Sequence, residues 1–410
     1  MKLKIDIPLA LIAGLVLFGA CTKTLDAPLP VKPNGERDTA GNIRTVLRNS
    51  AFTLFNQAFV RAGLDSPYSF YTVFAPSDSA MTAAGLTSTV ISSMSLDSLY
   101  NMVGYHLVLG VYPDSLLQND TLTLEIPAVL VEQFETPNSS SGFYTQTNFQ
   151  QDLFLSMKDV LYVNGQPSNE GQAPLRASNG WVYPVNRVLQ PPSQTVWSIL
   201  LSRPELSMYV AAERLVDSMS TASFFYYATV DSTLFSTVTY LNQNQTPEMF
   251  TVMAPTNDAF AKAGFNTVQD IRNYVNGSVP GTADVIPPGS TFPVVVYNYN
   301  AMDSVLKLHY LYNAGQNPVF YQDMLYSPNI NDGWLNADSW YRSAYQAYMP
   351  VNPLVTPFYP RFAGQNGTVS IQWSDNPSIP AASMPLAAGS NFQAVNGVVY
   401  EIDQLFYPHN

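Results

Sequence analysis

The sequence predicts two tandem domains that each mix strands with helices, and two observations carry that prediction. The first is a joint that occurs twice: residues 71–81 read Tyr-Thr-Val-Phe-Ala-Pro-Ser-Asp-Ser-Ala-Met and residues 250–260 read Phe-Thr-Val-Met-Ala-Pro-Thr-Asn-Asp-Ala-Phe. The second is that the surroundings of the joint repeat in the same order. A period of that size signals duplicated domains; a solenoid of short units repeats every 20–50 residues.

Each joint begins with an apolar run rich in β-branched and aromatic residues, which fits a pleated, half-buried strand. Pro76 and Pro255 stop the run, because proline lacks the N–H that a central ladder requires. Ser77 and Thr256 then cap a helix, with Asp78 or Asp258 in its first turn at the positive end of the dipole. Upstream, Phe52-Thr53-Leu54-Phe55 matches Leu206-Ser207-Met208-Tyr209 at a helix start. In the first unit Ile43, Val46, Leu47, Phe55 and Phe59 recur at amphipathic-helix spacing, and Gly63 offers a stop. Residues 86–118 read as mostly helical and include Tyr105-His106; Val305 to Tyr312, with His309-Tyr310, is the counterpart. Leu122 to Ile126 alternates as a strand, residues 132–151 read as a polar stretch with a turn at 138–142, and Leu153–Leu155 with Val160–Val163 predict a hairpin. Asn179-Gly180-Trp181-Val182-Tyr183 and Asn396-Gly397-Val398-Val399-Tyr400 predict matching closing strands.

These blocks together resemble the fasciclin (FAS1) domain family, over roughly residues 40–190 and 191–410. Thr251 to Phe260 and Gly397 to Asp403 are the closer matches; the first copy departs at Ser77-Asp78-Ser79 and at Pro184. The resemblance implies an α+β fold of two tandem FAS1-like domains, each a β-sandwich or wedge with helices packed along one side. It also implies adhesion or ligand binding, with no catalysis and no cofactor. The boundaries expected are 39–190 for the first domain, with Pro191-Pro192 marking its end, and 191–410 for the second.

The second unit is the longer. From Pro76 to His106 is 30 residues, whereas from Pro255 to His309 is 54, and the surplus falls near the Pro-rich segment 276–299. Residues 334–362 hold a further insertion, whose Trp334, Trp340, Tyr341, Tyr345, Tyr348 and Tyr359 are candidate ligand-binding residues. Planar aromatic faces stack on sugar rings or anchor a protein partner. The plainer reading is that these rings fill a small core beneath a long loop.

At the N-terminus, Lys2 and Lys4 precede an apolar run from Ile7 to Ala20, too short to span a bilayer. It ends Leu17-Phe18-Gly19-Ala20-Cys21, which resembles a bacterial lipobox with Cys21, the single cysteine, as the lipidated residue. Residues 1–21 are then a lipoprotein signal peptide and 22–38 a tether; an ordinary signal peptide is the alternative. Lipobox and fasciclin-like repeats together look like outer-membrane lipoproteins of Bacteroidetes-type bacteria, on the periplasmic or the outer face. Expected partners are the membrane, through the anchor, and an envelope protein or polysaccharide. A net charge of −12 with no basic cluster excludes nucleic acid.

Reactive chemistry is sparse. His106 and His309 sit at matching places; the functional reading joins Tyr105-His106 to a binding surface, and the structural one buries each imidazole against a backbone partner. One histidine per domain is too few for zinc, and no catalytic, phosphate-loop or dinucleotide motif is present. Asn329-Ile330-Asn331-Asp332-Gly333 lacks the spacing of a calcium loop. The function expected is a non-enzymatic envelope adhesion or binding lipoprotein, with polysaccharide as the candidate ligand of the second-domain loops and a structural docking subunit as the alternative.

Overall fold

A computed structural model describes residues 41–66, 69–119, 123–137, 144–169, 171–220, 235–236, 240–241, 246–247, 249–277, 281–285, 294–299, 301–306, 308–313, 318–326, 342–343, 360–365, 368–373, 379–385 and 391–407. The chain is α+β. In the first half, helices α1 (Ile43–Arg48) and α2 (Thr53–Arg61) lead into strand β1 (Tyr71–Pro76). Helices α3 (Asp78–Ala83), α4 (Ser88–Ser93) and α5 (Leu96–Gly104) follow, then β2 (Leu107–Leu109) and α6 (Asp114–Asn119). Strands β3 (Leu124–Pro137), β4 (Tyr144–Met157), β5 (Leu161–Val163), β6 (Gln166–Pro167), β7 (Leu175–Ala177) and β8 (Gly180–Val185) complete the half. Together they form one sheet in the order β6-β5-β4-β3-β2-β1-β8-β7.

The second half repeats the arrangement. Helix α7 (Val196–Ser202), a 3-10 turn at Pro204–Leu206 and α8 (Ser207–Ser220) precede two short strands, β9 (Tyr240–Leu241) and β10 (Thr246–Pro247), and then β11 (Met249–Pro255). Next come α9 (Asn257–Lys262), α10 (Val268–Gly277), the hairpin β12 (Gly281–Val285) and β13 (Val294–Tyr299), and α11 (Ala301–Leu306). Strand β14 (Tyr310–Asn313), helix α12 (Tyr321–Tyr326) and strands β15 (Arg342–Ser343), β16 (Pro360–Gln365), β17 (Thr368–Trp373), β18 (Ala382–Pro385), β19 (Asn391–Ala394) and β20 (Gly397–Ile402) end it.

The registers show that this is one topology used twice. β1 pairs in parallel with β8, Tyr71 opposite Gly180 through Pro76 opposite Val185. β11 pairs in parallel with β20, Phe250 opposite Gly397 through Pro255 opposite Ile402. Each is flanked on its other edge by an antiparallel strand that starts just after the repeated histidine, β2 or β14. Every residue of β1 and β11 is buried, as the unbroken apolar runs require. Helices close one side of each sheet. Phe55, Phe59, Ile91, Leu99 and Val103 fill the first helical core, and Tyr209, Phe260, Ile271, Val305 and Leu306 the second.

The joint is as expected at its caps: the Ser77 hydroxyl accepts from Ala80 N and the Thr256 hydroxyl from Ala259 N. Asp78 and Asp258 lie in the first turns of α3 and α9, as expected, and Asp78 has a second role. Asp78 accepts from the Leu54 amide at 2.8 Å and from the Thr53 hydroxyl at 2.6 Å, so it caps α2, which has no side-chain cap of its own. In the second half the same task falls to Asn257, which accepts from the Met208 amide at 2.9 Å. The positional partner of Asp78 is therefore Asn257, not Asp258. A cap of this kind contributes about 1 kcal/mol.

One expectation is corrected, that for 132–151, and two further segments gain detail, with 86–118 mostly helical as expected. The stretch 86–118 is three short helices interrupted by β2. Residues 132–151 are largely strand: β3 and β4 pair across fourteen residues each, with an irregularity between Pro127 and Val131 and only 138–143 outside the described residues. Alternating Phe, Thr and Gln suits a ribbon with two partly wet faces, which needs no apolar run. Segment 276–299 contains the β12–β13 hairpin, although prolines punctuate its sequence. Among the described residues no helix is long and apolar enough to cross a membrane.

Candidate functional site

The repeated histidines end up inside. The Nδ1 of His106 lies 2.7 Å from the Met102 carbonyl, and its Nε2 accepts from the Leu189 amide at 2.9 Å. His309 does the same with the Val305 carbonyl and the Phe406 amide, both at 2.9 Å. A carbonyl can only accept and an amide N–H only donate, so each neutral ring carries its proton on Nδ1. Each imidazole thereby staples the end of the central helix to the chain beyond the closing strand. Phe55 packs on the first ring at 5.3 Å, and Phe406 stacks on the second at 4.7 Å. Burial pushes His106 down to about 4 and His309 down to about 3. With both nitrogens engaged, neither ring has a lone pair left for a metal. Tyr105 is likewise enclosed: its hydroxyl accepts from Asn164 Nδ2 at 2.8 Å. The Tyr105-His106 pair forms no surface.

The other repeated polar residues are engaged in the same manner. The Thr72 hydroxyl accepts from the Tyr112 amide and the Thr251 hydroxyl from the Val319 amide, at 2.9 and 2.8 Å. The Tyr183 hydroxyl donates to the Tyr112 carbonyl and the Tyr400 hydroxyl to the Val319 carbonyl. Asn179 Oδ1 accepts from the Ile43 amide, the first of α1, and Asn396 Oδ1 from the Val196 amide, the first of α7. Gly180 and Gly397 follow with φ of 153° and 149°, and a Cβ on either would strike the backbone of Tyr71 or Phe250.

A second cluster, which the sequence did not disclose, lies between the halves. Asn164 and Gly165 have φ of 54° and 73° and form the two-residue turn between β5 and β6, as positive φ at both positions of such a hairpin demands. That turn seats against the second half: Asn391 Nδ2 donates to the Asn164 carbonyl at 3.1 Å, and Phe154 meets Phe320 at 5.1 Å between ring centres. Nearby, Asp323 accepts from the Thr123 amide at 2.9 Å, and the Thr123 hydroxyl lies 2.8 Å from each of its oxygens. Burial pushes Asp323 up to about 6. Glu125 is opposite Phe154 across the ribbon, and Asp152 lies two residues before Phe154, so both share that face. Burial pushes Glu125 up to about 7; burial and the neighbouring Glu125 charge push Asp152 up as well.

The concave feature is on the helical side of the second half, a groove of about 540 Å³ between α7, α8 and α10. Leu200, Val210, Ala211, Leu215 and Val268 line it, with Arg203, Arg214 and Arg272 at its edges. Trp334, Trp340, Tyr341, Tyr345, Tyr348 and Tyr359 lie outside the described residues, as does Cys21. Among the described residues no group of three or more His, Cys, Asp or Glu is placed to hold a metal ion.

No curated protein matches the chain. A solved FAS1 domain pair from the insect cell adhesion molecule fasciclin I is similar at 12% identity, covering 88% of this chain and 95% of that one, with a TM-score of 0.31. Residues 50–191 match the family model described as the fasciclin domain, a span that runs from just before α2 to just past β8. Residues 50–191 are therefore similar to a fasciclin domain, and the shared registers make the second half a structural repeat of the first.

Proposed function

We propose that this chain is a non-enzymatic binding or adhesion module of the bacterial cell envelope, held to the outer membrane by lipid on Cys21. The observation that carries the reading is the fate of the repeated polar residues. Thr72, His106, Asn179 and Tyr183, and their partners Thr251, His309, Asn396 and Tyr400, all bond backbone groups within the fold. What the two halves have in common is scaffold, so recognition belongs to what differs between them. The aromatic segment 334–362 of the second half is the largest such difference in sequence, and an envelope polysaccharide is the ligand class its Trp and Tyr faces suit.

Two experiments test this. A Cys21→Ser variant is expected to leave the membrane fraction; a variant that stays with the membrane removes the lipid anchor from the reading. A glycan array probed with residues 22–410, which keep every described residue, is expected to give a signal that Trp340→Ala and Tyr345→Ala abolish. No sugar signal, with one envelope protein recovered instead, would leave a structural docking subunit. The buried joint between the halves favours that second reading, since Asp323–Thr123 and Asn391–Asn164 hold two domains in one orientation.

A further inference from the structure

The groove between α7, α8 and α10 exists because a lock present in the first half is missing from the second. Helix starts Thr53 and Ser207 correspond, so Gln57 corresponds to Ala211 and Arg61 to Leu215. Buried Ile91 corresponds to buried Ile271, which places Ser88 with Val268 and Ser92 with Arg272. In the first half Gln57 Nε2 donates to the Ser88 carbonyl at 3.2 Å and to the Ser92 hydroxyl at 2.9 Å. Arg61 donates to the Ile91 carbonyl at 2.6 Å. Those three bonds tie α2 to α4. In the second half the three side chains that make these bonds are replaced, although the backbone carbonyls of Val268 and Ile271 remain: Ala211 cannot reach across, Leu215 offers only carbon where Arg61 donates, and Arg272 turns a hydroxyl position into a cation.

What opens is apolar below and cationic at the edge. Along α8, Ser207, Val210, Ala211, Arg214, Leu215 and Ser218 recur every three or four residues and all line the groove. At 1.5 Å per residue that stripe is about 16 Å long. Leu201 and Val268 remain 46% and 37% exposed at its walls. Arg203 is committed elsewhere, since it pairs with Glu205 and Glu401 and lies over the Phe392 ring. Arg214, whose guanidinium is 5.8 Å from the Trp197 ring centre, and Arg272 make no ion pair among the described residues. On a chain of net charge −12, two uncommitted arginines beside an apolar floor select an anion that brings a hydrocarbon tail.

We propose that this groove binds a free single-chain anionic amphiphile, an alkyl carboxylate whose tail lies along α8 and whose head meets Arg214 and Arg272. The site is separate from residues 334–362, and it stands or falls independently of the glycan experiment.

The test is titration calorimetry of residues 22–410 with octanoate, decanoate and dodecanoate, each below its micelle concentration. One molecule is expected to bind, with affinity rising about fourfold for each methylene buried. Dodecyltrimethylammonium, the same tail on a cation, is expected to bind at least tenfold more weakly. Arg214→Gln with Arg272→Gln should lose about tenfold for dodecanoate at an unchanged melting temperature. Rebuilding the lock with Ala211→Gln, Val268→Ser and Arg272→Ser should abolish binding. Vesicles of anionic phospholipid distinguish a membrane headgroup from a free amphiphile. Absence of dodecanoate binding, equal binding of the cationic tail, indifference to both sets of variants, or binding to vesicles alone would each overturn the proposal.

Discussion

Replacing Gly180 or Gly397 by alanine is expected to destabilise severely the domain that contains it. A Cβ on Gly180 would sit 1.8 Å from the Tyr71 carbonyl oxygen, and one on Gly397 would sit 2.2 Å from that of Phe250. Both obstacles are backbone atoms of the parallel partner strand, in the register that defines the fold, so neither can rotate aside. Their φ values of 153° and 149° are also in a region that an L side chain rarely adopts, at a cost of roughly 1–3 kcal/mol before any clash. With the contact added, the loss should reach about 4 kcal/mol or more, at the extreme of single substitutions. For a domain of this size that lowers the corresponding thermal transition by roughly 10 °C or more. Gly85→Ala and Gly264→Ala are the controls, since φ there is 75° and 91° but nothing lies within 4 Å. They should cost about 1 kcal/mol, the backbone term alone. Calorimetry of the four variants decides it: if Gly180→Ala melts with Gly85→Ala, the close approach is not what the glycine serves.

These glycines also show what a sequence can disclose. The Asn-Gly pair, the Thr of the joint and the Tyr of the closing strand were visible because the chain writes them twice, and the structure gives each pair the same partner in both halves. Where nothing repeats, the sequence was mute. The contacts of Thr123 with Asp323 and of Asn164 with Asn391 join residues 200 and 227 positions apart, through side chains with no counterpart in the other half. The second role of Asp78, capping α2 from the first turn of α3, is hidden for a subtler reason. Its carboxyl sits where a helix-start residue belongs, and matching it by charge to Asp258 hid that Asn257 occupies its position. An amide oxygen accepts from a backbone N–H as a carboxylate does, so the shared feature is the acceptor and not the charge. The amphiphile groove needed the same comparison made residue by residue along α2 and α8. Loss of Gln57 and Arg61 is legible only once the helices are in register.

The joint between the halves and the domain interiors answer to pH in opposite ways. Asp323, Glu125 and Asp152 sit with carboxyls raised above their ordinary values, so the folded chain holds their protons more tightly than the unfolded one. Their contributions are therefore full in acid, and those of Asp323 and Glu125 fall as pH rises from about 4 toward about 6 and about 7. All three lie on the face shared by the halves, so that loss is felt at the joint. The domain interiors carry the reverse dependence through their histidines.

A His106→Phe or His309→Phe variant should make the interior dependence visible free of the carboxyls. At pH 7 each imidazole is neutral in both states, and removing it strands one carbonyl and one amide inside the core. Two unsatisfied groups cost roughly 2–5 kcal/mol together. As pH falls below 6.5, the unfolded histidine gains a proton that the folded one refuses until about 4 in His106 and about 3 in His309. The native chain therefore loses about 1.4 kcal/mol per unit from each histidine, while the phenylalanine variant loses none from the replaced site and keeps the loss from the other histidine. The gap in stability between native and variant should thus shrink by about 2–3 kcal/mol between pH 6.5 and pH 4.5. The carboxyls are the same in both proteins and cancel from that difference. Urea unfolding of the native chain and each variant at the two pH values measures it. A gap that stays constant would mean that the imidazoles titrate alike folded and unfolded, which two backbone bonds and complete burial forbid.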